Sequence, residues 1–160
     1  MRLLGHSDPA GHGDGSRIVK KGNFLYVGHM KSAAITILNV EDPSNPRRVV
    51  NQIAKSPGVH SHNVPIAGDL MLANHERAPW ETGDYQPGLA LYDISRAGFP
   101  KQIGFFPTTD KGVHRFWFTD GRYAHLPTSA EGYSNRIYCI VNVQNPTRVQ
   151  EVGRWWLPGL

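Results

Sequence analysis

The chain has 160 residues, 39% of them hydrophobic and 19% charged, which suits a folded domain or part of a larger one and excludes a disordered chain. Its formal net charge of +4 rests on scattered cations (Arg17, Lys20, Lys21, Arg47, Arg48, Lys101, Arg115, Arg122), not on the basic stripe that a nucleic-acid groove needs. No apolar run approaches the ~20 residues of a membrane span, the N-terminus has no apolar signal core, and the single cysteine, Cys139, excludes an intrachain disulfide, so the expectation is a soluble cytoplasmic protein that binds neither nucleic acid nor membrane.

Short apolar runs bounded by Gly, Asn, Asp and Pro predict strands along the whole chain. Arg2–His6 resembles a later strand, Gln102–Phe106, and makes residues 1–9 a candidate closing strand for a ring of sheets. Residues 10–57 then read as a unit of four strands: Ser16–Val19, Gly22–Val27, Ile35–Val40 and Arg48–Ile53. Residues 58–111 repeat it as His62–Ile66, Gly68–Ala73, Leu89–Ile94 and Gln102–Phe106. Residues 112–160 repeat it again as His114–Phe118, Gly121–Leu126, Tyr138–Val143 and Val149–Trp156.

The repeats align residue by residue. Asn39, Asp93 and Asn142 share one position, and Val40, Ile94 and Val143 share the next. Four antiparallel strands in a repeat of roughly 40–50 residues predict an all-β fold, a β-propeller built of four-stranded blades, with a β-sandwich as the competing architecture. Three blades do not close a ring, which takes about four to eight. The expectation is therefore a partial propeller or fragment, completed by further blades or by a homo-oligomer. The best copy of the repeat core, Ile37-Leu38-Asn39-Val40-Glu41-Asp42-Pro43-Ser44-Asn45-Pro46, resembles the LVIVD-repeat family of propeller-like proteins. That resemblance implies a propeller and no settled reaction. The second copy departs from the pattern at Arg96 and Ala97, and the third has Val149 in place of the second proline.

In a propeller, residues at the start of the first strand and the end of the second share one rim near the axis. His60, His62 and His114 begin inner strands, and Gly58-Val59-His60 matches Gly112-Val113-His114. His12 and Asp14 lie in the corresponding entry loop of the first unit, while His29 and His75 align just after second strands. His60 and His62, two residues apart on a strand, point to the same side. Imidazoles gathered from several blades suit a divalent transition metal such as Zn, Fe, Mn or Cu. The candidate metal ligands are His12, Asp14, His60, His62 and His114. The candidate catalytic residues are Glu76, a general base in the long loop His75–Pro87, and Arg115, an anchor for an anionic group of a small-molecule substrate. Metal-assisted hydrolysis is favoured over oxidation. A non-catalytic interaction scaffold is the alternative, and a fragment without activity of its own is the third reading.

Overall fold

Side-chain alternation and turn chemistry set the architecture. The computed structural model describes residues 1–9, 11–32, 34–51, 58–80 and 83–159. Ile53, at the end of an expected strand, lies outside them, as do the 52–57 boundary and Glu81 and Thr82 of the long loop.

Among the described residues, twelve strands form three antiparallel sheets, with no α-helix. The first sheet runs β1 (Gly15–Lys21), β2 (Phe24–His29), β3 (Ile35–Asn39), β4 (Arg47–Asn51) in that order. The second holds β5 (Val59–His60), β6 (Ile66–Ala67), β7 (Leu70–Arg77), β8 (Gly88–Asp93) and β9 (Lys101–Pro107), with β5 and β6 both paired to β7. The third runs β10 (Tyr123–Thr128), β11 (Ile137–Asn142), β12 (Gln150–Trp155). Isolated bridges Val113–Thr128 and Trp117–His125 stand where its first strand was expected. Among the described residues no helix is long and apolar enough to cross a membrane.

The repeat is physical as well as textual. The side-chain oxygens of Asn39, Asp93 and Asn142 each accept the amide two residues on, at 2.8, 2.8 and 3.0 Å. Each thereby builds the turn that ends the third strand. The next residue then donates its amide to the hairpin two strands back: Val40 to Asn23 O, Ile94 to Asp69 O and Val143 to Arg122 O. A β-bulge recurs at Ile37/Leu38, Leu91/Tyr92 and Ile140/Val141, one step before that Asn or Asp in every copy. Asp42 and Asn145 cap the following turn by accepting from the Ser44 and Thr147 amides. Arg96 has no acceptor to offer at that position.

The second sheet is buried on both faces. Met71, Ala73, Ala90 and Tyr92 pack against Tyr26, Ile35 and Ile37 of the first sheet. Leu72, Leu89 and Leu91 pack against Val113, Phe116, Leu126, Cys139 and Val141 of the third. Each buried Val, Leu, Ile, Phe or Met among them contributes roughly 1.5–3 kcal/mol. Close approach of the first and second sheets requires Gly28, where a Cβ would meet Ser61 O at 2.7 Å. Cys139 is buried, and desolvation, helped by the Glu151 charge, pushes its thiol up to about 12, leaving an inert core residue.

Two expected strands differ. His62–Ile66 is interrupted between β5 and β6, because the Asn74 side chain takes the Asn63 amide at 2.9 Å and Pro65 has no N–H to give. Residues 1–8 form no strand, and Gly5 lies against the carbonyl oxygens of Pro43 and Ser44.

Candidate functional site

The repeated Gly-Val-His triplets deliver two imidazoles to one point. Gly58 and Gly112 turn the chain with φ of 71° and 74°, a region open to glycine at little cost. Val59 and Val113 are buried in the sheets, which fixes the direction of the residue that follows. His60 Nε2 and His114 Nδ1 then each lie 2.7 Å from the same atom, Glu76 Oε2. His62 Nδ1 lies 3.8 Å from that oxygen. The ring centroids of His60 and His62 are 4.9 Å apart, and those of His62 and His114 5.3 Å. Ligand atoms of His60, His62 and Glu76, all buried, lie within 4.8 Å of one another.

Glu76, expected in the long loop His75–Pro87, lies on a strand instead. It is the second-to-last residue of β7, on the face that Leu72 and Asn74 share, and it turns inward between the second and third sheets. Arg136, next to β11, pairs with Oε1. Burial disfavours its charge, but the hydrogen bonds of His60 and His114 and the charges of His114 and Arg136 outweigh that and hold the carboxyl below its usual range.

Asn74 sets the His62 tautomer. Its Oδ1 accepts from the Asn63 amide and its Nδ2 donates to Val113 O at 3.2 Å, so the amide cannot turn over. Nδ2 faces His62 Nδ1 at 3.3 Å, which makes that nitrogen the acceptor. Burial pushes the His62 pKa down to about 4, with His60, His114 and Arg115 acting in the same direction against Glu76. His62 is therefore neutral at neutral pH, with its one lone pair on Nδ1, the nitrogen that faces both Asn74 and Glu76, and its hydrogen on Nε2. Among the described residues, His60 Nδ1 and His62 Nε2 are buried without a hydrogen-bond partner. A buried polar nitrogen left without a partner in this way marks a ligand position or an unfinished network.

His12 and Asp14 do not join this group. Asp14 accepts from His29 Nδ1 at 2.9 Å, the Lys31 amide at 2.5 Å, and the Ser32 amide and hydroxyl at 2.7 Å each. The His12 ring packs edge-on against His29, with centroids 5.3 Å apart. The reason is alternation along β2 and β3. Tyr26, Ile35 and Ile37 face the second sheet, so His29 and Thr36 face away from it. His29 Nε2 meets Thr36 Oγ1 at 2.9 Å. The Asp-His-Thr chain has the contacts of a nucleophile relay, but His29 and Thr36 are fully buried, so no substrate reaches the hydroxyl. His75 also leaves the rim: its Nδ1 donates to Gln86 O at 3.2 Å and its ring packs on Phe105.

Burial opposes the charge of Asp14, yet the Ser32, Lys31 and His29 hydrogen bonds hold its carboxyl far below the usual range. A depressed carboxyl pKa stabilises the fold above about pH 4, and that contribution is lost as pH falls further. Asp14→Asn is expected to cost about 1–3 kcal/mol at pH 7, by urea denaturation, and the gap to the parent should narrow at pH 3. An equal gap at both pH values would show that the charge contributes nothing.

Beside the His–Glu group a cleft of about 800 Å³ opens among Ser16 and Arg17 of β1, His62, Asn63, Arg115, Trp117 and the outer face of the third sheet at His125 and Tyr138. The leading strand or segment of each sheet thus borders one space. The chain is similar to the N-terminal domain of Nup159, a β-propeller. The likeness has a TM-score of 0.54 at 15% identity and covers 91% of this chain but 32% of that one, so this chain spans about a third of that domain's length. At that identity the likeness speaks for fold alone. No family model and no curated protein matches the chain.

His60, His62 and His114 are thus brought together as the sequence indicated, and Arg115 reaches the cleft. Sequence reasoning missed Arg136 and Asn74. Nothing in their local sequence marks them: Arg136 acts across sheets, 60 positions from Glu76, and Asn74 acts within its own repeat, 12 positions from His62.

Proposed function

We propose that this chain is a section of a β-propeller of the LVIVD-repeat kind, whose buried His60, His62 and Glu76, with His114 at the mouth, hold a divalent transition metal and act on a small molecule in the adjoining cleft. The observation that carries the reading is the gathering of three buried ligand atoms within 4.8 Å of one another at the edge of that cleft. The three donors are two imidazole nitrogens and a carboxylate oxygen, a set that suits Zn, Fe, Mn or Cu. When bound, such an ion supplies Lewis acidity and a water acidic enough to attack an ester or amide near neutral pH, which favours hydrolysis over oxidation. The chain's own residues prepare the place: Asn74 orients His62, Arg136 holds Glu76, and Trp80, its ring centroid 5.8 Å from that of His60, covers the outer side.

Three sheets leave one face of the first and one face of the third without a neighbouring sheet, so further blades or a second copy of the chain complete the ring in this reading. A second reading has support of its own. Glu76 already accepts from His60 and His114 and pairs with Arg136, which closes a network without an ion. With Trp117, Trp155 and Trp156 exposed, the molecule then serves as an interaction scaffold.

Elemental analysis decides between them. Protein purified without chelator is expected to carry about one transition-metal ion per chain, and His60→Ala combined with His62→Ala should release nearly all of it. Metal-free protein that takes up no Zn, Fe, Mn or Cu on dialysis would leave the scaffold reading standing.

A further inference from the structure

We infer that the cleft beside His62 takes a small organic anion, a carboxylate or phosphate ester carrying a flat apolar body. The inference rests on the proposed reading, which sets a small molecule there, and it names that molecule's chemical class.

Two guanidinium groups border the cleft from different sheets, Arg17 on β1 and Arg115 just past His114. Among the described residues no carboxylate borders it. Among the described residues neither arginine side chain has a hydrogen bond, ion pair or aromatic ring as partner, whereas Arg136, Arg154, Arg77 and Arg122 all do. Two unpaired cations facing a shared space with low-dielectric walls make a well of positive potential, and guanidinium grips carboxylate or phosphate oxygens in pairs. Aromatic side chains border the same cleft. Trp117 is 62% exposed there, and His125 and Tyr138 stack at 27° with Nδ1 and Oη 2.5 Å apart, a stiff flat surface. A ring lying on Trp117 would bury that area, with its acidic group turned to the arginines. His62, lining both the cleft and the His–Glu group, sets the anion beside the candidate metal ligands.

The test is an NMR titration of the whole chain with benzoate, phenyl phosphate and the neutral benzyl alcohol, repeated on Arg17→Gln with Arg115→Gln. Both arginines are exposed, so the variant should keep the parent's circular dichroism spectrum and melting temperature. Either anion should shift the Trp117 indole and residues around 115–117, with the tighter of the two naming the acid. The double variant should bind at least tenfold more weakly, as should the parent at high salt. Benzyl alcohol should bind far more weakly than either anion. Equal binding of benzyl alcohol, an unchanged Kd in the double variant, or no binding at millimolar anion would each overturn the inference. Metal content measured on the same samples separates the two proposals. Anions bound by metal-free protein uphold the inference and count against the metal; metal held without anion binding overturns the inference alone.

Discussion

Glu76→Ala is expected to destabilise the chain by about 3–5 kcal/mol, the cost of breaking a buried charged network on one side. At about 2–4 °C per kcal/mol for a chain of this size, the melting temperature should fall by roughly 10 °C. Glu76 is 6% exposed, and its carboxylate serves three partners: His60 and His114 on Oε2, Arg136 on Oε1. Alanine leaves a guanidinium whose Nε already lacks a partner, and a His60 ring with neither nitrogen satisfied. The loss is mostly the penalty for those orphans, so removing one of them should return part of it. Glu76→Ala with Arg136→Met should be less unstable than the sum of the single variants by about 1–3 kcal/mol, as a double-mutant cycle reads it. Additive costs would show that Arg136 and Glu76 are neighbours without energetic coupling. If the metal reading holds, Glu76→Ala also lowers metal content, and Arg136→Met alone lowers it less, because Arg136 positions a ligand without being one.

The strands were legible because their signals are local. A glycine before an apolar run, an Asn or Asp that folds its side chain onto the amide two residues on, and a bulge repeated in register are all written within a few residues of each other. The histidines were legible in part for the same reason: Gly-Val-His recurs, and a period-2 pair at His60 and His62 needs only a strand to aim it. The errors came from alternation across sheets. His12 and Asp14 occupy the right loop, but their partner His29 sits on the face of the first sheet turned from the second, one residue out of phase with Gly28. Glu76 was legible as an acid near the rim and was assigned to a loop, because β7 runs two residues past the turn-like His75 and the paired backbone of Val59 and His60 extends it. Arg136 reaches Glu76 from the third sheet, and no pattern inside one repeat encodes a contact between repeats.

Gly112→Ala should be among the most damaging single-methyl additions, and Gly121→Ala is its control. Both glycines have φ of 74°, where any side chain is strained by about 1–2 kcal/mol. They differ in space. At Gly121 a new Cβ would have Ala67 Cβ as its nearest neighbour, at 3.8 Å. At Gly112 it would sit 2.2 Å from the His75 carbonyl oxygen and 3.0 Å from Pro87 Cβ. The same carbonyl accepts the Val113 amide at 3.3 Å, and Gly112 is bridged to Glu76, so a methyl group there wedges the third sheet's first segment off β7. His114 follows two residues later and would be drawn from Glu76 Oε2. Chemical denaturation should show Gly112→Ala costing at least about 2 kcal/mol more than Gly121→Ala, in the range of overpacked or strained cores. Equal costs would mean that the joint between the sheets yields freely. The paired triplets would then be a coincidence of strand entry and not the device that holds two imidazoles on one carboxylate.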